Sequence, residues 1–292
     1  MKFRKNLLAQ VVAIALCGAF VSSANAAAVI TDGAGTSATI ADAGYFSNTT
    51  ALGMSYLGRE FVNLGTWASN YSFNANGSSV AVADESVGAP FGTDASNPFI
   101  SSIVFSGGNL VLTASFSGGW SFIETVSIPT SGHVAVQVQL TNNTGATATD
   151  VQWGVGIDPD QGVPVGLGFD TTNVINATGN AGSVTATSLD GWSLTLANTT
   201  SASAFAINPF VGSNCCSPVD PALMLAAAQA PGDYGFADSS INLAYDLGTI
   251  ASQHSVTFGY EYIMAVPEPE TYAMLLAGLG LIGFSARRRM QG

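Results

Sequence analysis

The chain has 292 residues, 47% of them apolar, enough for a sizeable core, which excludes a wholly disordered polymer. Seven lysines and arginines stand against 19 aspartates and glutamates, and Lys2, Arg4, Lys5, Arg287, Arg288 and Arg289 all lie at the ends. Between Ala27 and Val266, Arg59 alone faces 17 carboxylates, a field that repels nucleic acid and other polyanions and suits Ca²⁺, a basic partner or simple colloidal repulsion.

The first stretch, MKFRKNLLAQVVAIALCGAFVSSANA, has a basic start, an apolar run from Leu7 to Phe20 and small residues at Ala24 and Ala26. It fits a secretory signal peptide cut after Ala26, since the run is shorter than the ~20 apolar residues of a membrane anchor.

Period-two alternation then dominates, as in NLVLTASF (109–116) and HVAVQVQL (133–140), where every second residue is apolar. SVAVA, FISSIVF, WSFIETVSI, DVQWGVGI, SVTATS, WSLTLA, SINLAYDL and HSVTFGYEYIM read alike, separated by Gly, Asn, Ser and Asp turn clusters. One helix interrupts them: Asp220 caps, Pro221 fits the first helical position, and ALMLAAAQA runs on until Pro231. No linker divides residues 27–265, so the expected fold is all-β, a single large β-sandwich-like domain with one short helix.

Candidate chemistry is sparse. The loop GIDPDQGVPVGLGFD gathers Asp158, Asp160 and Asp170, an oxygen-rich arrangement of the kind that holds Ca²⁺, although it lacks the EF-hand spacing. The alternative reading is turn aspartates that cap backbone N–H groups beside Pro159 and Pro164. Cys215 and Cys216 are adjacent, and a bond between them requires a strained turn, because neighbouring Cα atoms lie ~3.8 Å apart and disulfides usually span ~4.4–6.8 Å.

His133 and His254 each open a strand with no metal-ligand spacing, and no G-x-S-x-G elbow singles out a serine. Glu60 and Glu124 are the one carboxylate pair with a glycosidase reading, which depends on their separation in space. Trp67, Trp120, Trp153 and Trp192 would form either a sugar platform or core packing. No catalytic residue is assigned, no cofactor beyond that Ca²⁺ is expected, and the protein is read as a non-enzyme.

The chain closes on VPEPETYAMLLAGLGLIGFSARRRMQG: two glutamates between prolines, an uncharged apolar run from Thr271 to Ala286, and three arginines. As a helix those sixteen residues rise ~24 Å, short of a ~30 Å hydrocarbon core, and the arginines would stay on the cytoplasmic side. The stretch resembles the PEP-CTERM sorting signal, in which Pro267, Glu268 and Pro269 form the sorting motif and Arg287, Arg288 and Arg289 hold the tail at the membrane.

The resemblance implies export across the inner membrane of a Gram-negative bacterium, transient anchoring there, processing by an exosortase, and a place at the cell surface or outside it among exopolysaccharide. It divides the chain into a signal peptide (1–26), a β-rich extracellular domain (27–265) and a sorting signal (266–292). A looser resemblance links the middle, through the V-x-V-x-L-x-N pattern from Val136 to Asn142, the DPDQ loop at 158–161 and LGTI at 247–250, to uncharacterised bacterial surface β-domains. The expected role is a structural or adhesive matrix protein associated with biofilm. A carbohydrate-binding module and a matrix-polymer hydrolase are the alternatives.

Overall fold

The computed structural model describes residues 28–40, 44–46, 53–62, 69–84, 99–116, 118–201, 205–213, 215, 220–267 and 276–279. The signal peptide with Ala24 and Ala26, Trp67, Cys216, Glu268, Pro269 and Arg287 to Arg289 lie outside the described residues.

The alternating segments become antiparallel strands. β1 (Ala28–Thr31), β2 (Thr36–Ile40), β3 (Met54–Tyr56) and β4 (Arg59–Glu60) make a small meander. A five-stranded sheet follows the order β15 (Ala206–Val211), β17 (Ile241–Ile250), β11 (Ala148–Ile157), β5 (Ser69–Ala75), β6 (Ser78–Asp84). A nine-stranded sheet follows the order β16 (Gly232–Ala237), β12 (Thr171–Ala177), β13 (Ser183–Thr187), β14 (Ser193–Asn198), β18 (Ser255–Ala265), β10 (His133–Asn142), β9 (Trp120–Ser127), β8 (Asn109–Phe116), β7 (Phe99–Ser106). Among the described residues both larger sheets have open edges, so the fold is a sandwich and not a closed barrel.

The inner faces meet in an aromatic core. Tyr71 on β5 stacks on Trp153 on β11 at 4.8 Å, Phe116 stacks on Phe122 at 5.1 Å, and Phe258 on β18 closes on Trp153 at 5.5 Å. Phe116, Phe122 and Phe258 from β8, β9 and β18, with Tyr71 and Trp153 on β5 and β11, tie the two sheets together by apolar burial.

The helix is shorter than the apolar run suggests: α1 spans Pro221–Ala226, with the Asp220 carboxylate accepting from the Ala222 N–H at 2.8 Å. It lies on the outer face of the five-stranded sheet. There the Asn74 amide donates to Asp220 at 2.7 Å and the Asn208 amide donates to the Met224 carbonyl, which buries the polar outer residues Asn70, Ser72, Asn208 and Asn242.

Candidate functional site

β18 is the fifth of nine strands in its sheet, paired with β14 on one side and β10 on the other. Its last residue, Ala265, pairs with Ser193, and the Met264 N–H donates to the Gly132 carbonyl at 2.7 Å. Two residues later Pro267 lies on the Ser188–Trp192 turn. Gly191 there has a φ of 85°, and a Cβ on it would stand 3.1 Å from the Pro267 Cγ. The segment Val266–Pro267 therefore leaves the fold directly from its central strand.

Arg59 organises the same end of the sandwich. Its guanidinium donates to the Asp190 carboxylate at 2.8 Å and to the Gln161 carbonyl at 2.8 Å, and it lies 4.5 Å above the Trp192 ring. Burial acts to raise the Asp190 carboxyl, but bonds from Ser188 and Arg59 overcome it and hold the group below its ordinary range. The one basic residue of the domain thus joins the β3–β4 hairpin, the β13–β14 turn and the loop after β11.

That loop begins with the acidic cluster. Asp158 and Asp160 are 2% and 1% exposed, and Asp238, from the β16–β17 turn, reaches Asp158. Burial, then the charges of Asp160 and Asp238, raise the Asp158 carboxyl far above its usual range. Partial burial and the charge of Asp170 raise Asp238. Asp170 thus enters the group through Asp238, a residue the sequence reading did not single out, with two buried carboxylates at the base and two exposed ones at the mouth.

Ligand atoms of Asp158, Asp238 and Cys215 lie within 4.8 Å of one another, but Cys215 is disulfide-bonded and its sulfur is not a thiolate donor. What remains within that distance is Asp158 and Asp238, two hard oxygen donors of the kind Ca²⁺ takes and a thiophilic metal does not; Asp160 and Asp170 are not among the ligand atoms so gathered in the described residues. Without a cation, Asp158 and Asp238 hold a proton more tightly than ordinary aspartates do.

The glycosidase pair does not form an accessible couple. Glu60 Oε1 accepts from the backbone N–H groups of Gly53, Met54 and Val62 at 3.0, 3.0 and 3.2 Å, a structural role. Glu124 sits on the core-facing side of β9, between Leu112 and Val138, fully buried, with no hydrogen-bond partner to either oxygen among the described residues. Burial pushes its carboxyl up to about 8. Burial, and next the Glu124 charge, raise the phenols of Tyr71, Tyr260 and Tyr262 around it.

Trp120 and Trp153 lie in the core and Trp192 lies under Arg59, so the described tryptophans form no exposed platform. His133 is half-buried at the start of β10, its Nδ1 3.0 Å from Glu261.

Residues 265–289 match the model of the PEP-CTERM protein-sorting motif, which starts at the end of β18. The chain carries a PEP-CTERM sorting signal. It is accordingly an exported protein of the exosortase-sorted class. Among the described residues no helix is long and apolar enough to cross a membrane; of the apolar run 271–286 they include only Leu276–Leu279, which are helical.

No curated protein matches the chain. Among solved structures it is similar to a heparan sulfate lyase, HepC, from Pedobacter heparinus, with 10% identity over 80% of this chain and 30% of that one and a TM-score of 0.37. A mutant of the same lyase matches with 12% identity over 59% of this chain and 22% of that one, at a TM-score of 0.36. Another polysaccharide lyase matches with 11% identity over 86% of this chain and 34% of that one, at a TM-score of 0.40. The chain spans no more than about a third of the length of these structures.

Proposed function

We propose that the protein is a non-catalytic structural or adhesive component of the extracellular matrix of a Gram-negative bacterium. It crosses the inner membrane, is held there by its tail, is processed by exosortase at Pro267–Glu268–Pro269 and is left at the surface among exopolysaccharide. One observation carries the reading: the central strand of the larger sheet runs into the sorting motif with only Val266 between Ala265 and Pro267. The sandwich is therefore the cargo that the signal delivers. The burial of Glu124 and the backbone bonds of Glu60 support a role without catalysis, since neither carboxylate is left for acid–base work on a polymer.

The parts of the tail suit a transfer device. The prolines hold the motif extended, the short apolar run parks the chain in the bilayer, and the arginines oppose escape outward. The test replaces Pro267, Glu268 and Pro269 with alanine in the native host. Insertion should persist because the apolar run and the arginines are untouched, processing should fail, and the uncleaved chain should collect in the inner membrane. Trimming and surface delivery as in wild type would remove the motif from the account.

A second reading, a carbohydrate-binding module, draws on a surface groove of about 230 Å³ lined by Gln137, Thr199, Thr200, Ser201, Thr257 and Gly259 over Phe258. Its amide and hydroxyl groups are of the type that bonds sugar hydroxyls. Binding on a glycan array that Thr257→Val abolishes would favour this reading over a purely structural one.

A further inference from the structure

Three loops meet at the end of the sandwich from which the sorting signal leaves, and each carries exposed apolar side chains. Leu57 is at the tip of the β3–β4 hairpin, 55% exposed; Leu189 is in the β13–β14 turn, 67% exposed; Val165 and Phe169 are in the loop after β11. Arg59 holds the three loops together through Asp190 and Gln161, and a Cβ on Gly162 would lie 3.5 Å from the Ser188 Cβ, so the loops form one continuous rim.

Within the three apolar turns the charges cancel. Leu57–Arg59, Ser188–Trp192 and Val163–Phe169 contain two charged side chains, Arg59 and Asp190, and these are paired at 2.8 Å. Asp170 follows Phe169 directly and Asp238 lies near enough to feel its charge, both exposed, so the acidic cluster borders the rim on one side while the apolar turns themselves carry no net charge.

The position of the tail says what lies opposite. Pro267 rests on Gly191, two residues from Leu189, and the apolar run starts at Thr271. Four residues span at most ~14 Å, so while the tail is in the bilayer the rim is held at the headgroup level. The tail itself does not cover the rim where it is described: Leu276 and Leu279 are 68% and 56% exposed.

We propose that the Leu57–Val165–Phe169–Leu189 rim is a lipid-facing surface, which seats the sandwich upright on the membrane during sorting and presents the Pro-Glu-Pro element in the interface. This rests on the reading above that the apolar tail inserts before processing. Apolar side chains that enter the interface favour it in proportion to the area buried, and the continuity from β18 into the tail fixes the orientation.

The experiment uses the uncleaved chain in vesicles of phosphatidylethanolamine and phosphatidylglycerol, with an environment-sensitive fluorophore on single introduced cysteines, labelled without reductant and corrected for labelling of the unsubstituted chain. Leu276→Cys reports on the tail. Leu189→Cys and Val165→Cys report on the rim. Leu223→Cys, exposed on α1 against the outer face of the five-stranded sheet, is the aqueous reference.

The expected result is a blue shift and quenching by headgroup-level spin-labelled lipid at 276, 189 and 165, with neither at 223. If 276 is quenched and both rim probes behave like 223, the rim proposal is overturned while the sorting reading stands. If 276 itself stays in water, the insertion step fails and the rim proposal fails with it. A blue shift at 189 and 165 without quenching by lipid would mean that another protein surface covers the rim, which also overturns the proposal.

Discussion

Glu124 offers the sharpest physical test of the fold. Its carboxyl is fully buried between Leu112 and Val138 on the neighbouring strands and is raised from 4.5 to about 8 by the loss of water. That difference, about 3.5 pH units at ~1.4 kcal/mol each, is roughly 5 kcal/mol between the two protonation states. The folded-state value lies above the unfolded one, so the native state binds the extra proton. Its contribution is complete below the unfolded value, falls as the pH rises through the window from about 4.5 to 8, and is gone above it. About 3 kcal/mol should already be lost by pH 7.

The assay is urea unfolding of wild type and Glu124→Gln at intervals from pH 4.5 to 8.5. Glutamine keeps the shape and cannot ionise, while Asp158 and Asp238, which have raised carboxyls of their own, are common to both proteins and cancel in the difference. The stability difference should move by roughly 4 kcal/mol in favour of the glutamine variant between pH 4.5 and 8.5. A difference that does not change with pH would refute the reasoning, because it would mean that Glu124 ionises as it does in the unfolded chain.

Added Ca²⁺ should raise the melting temperature, most at alkaline pH where protons no longer hold the aspartates, and Asp158→Asn should abolish the rise; the absence of any shift in wild type leaves the aspartates as turn residues alone. Arg59→Met keeps the stem over Trp192 but removes the charged bonds to Asp190 and Gln161, and should cost about 2 kcal/mol in chemical unfolding, whereas a cost near zero would mean that the loops are held by packing. Trp153→Ala opens the centre of the aromatic core and should cost about 3–5 kcal/mol, seen as an early loss of near-ultraviolet circular dichroism.

Strands with one wet and one dry face were legible in the chain. NLVLTASF is β8 residue for residue, because Leu110, Leu112, Ala114 and Phe116 are buried while their neighbours are more exposed. Among strands without that alternation the outcome was mixed: β17, buried on both faces at its start, was legible as SINLAYDL, and three others were missed. β5 is buried throughout, β16 is exposed throughout, and β15 carries Pro209, which an edge strand tolerates because that side needs no ladder donor. In the candidate site, Asp158, Asp160 and Asp170 could be read from one loop, but Asp238 comes from a turn in a different part of the chain and joins them only through the sheet order. Arg59 had a signal, its solitude among carboxylates, but not an address. Burial of Glu124 was half-written in WSFIETVS, where it takes a core-facing place in the alternation; its charge masked that position.

The central claim is that this sandwich is cargo delivered by its own two ends, and the intact mass of the protein taken from the native cell surface tests it most directly. The expected mass is that of a chain that starts at Ala27 and lacks Arg287, Arg288 and Arg289, trimmed near Pro267–Glu268–Pro269. Surface material that still contains Lys2 or Arg289 would contradict it.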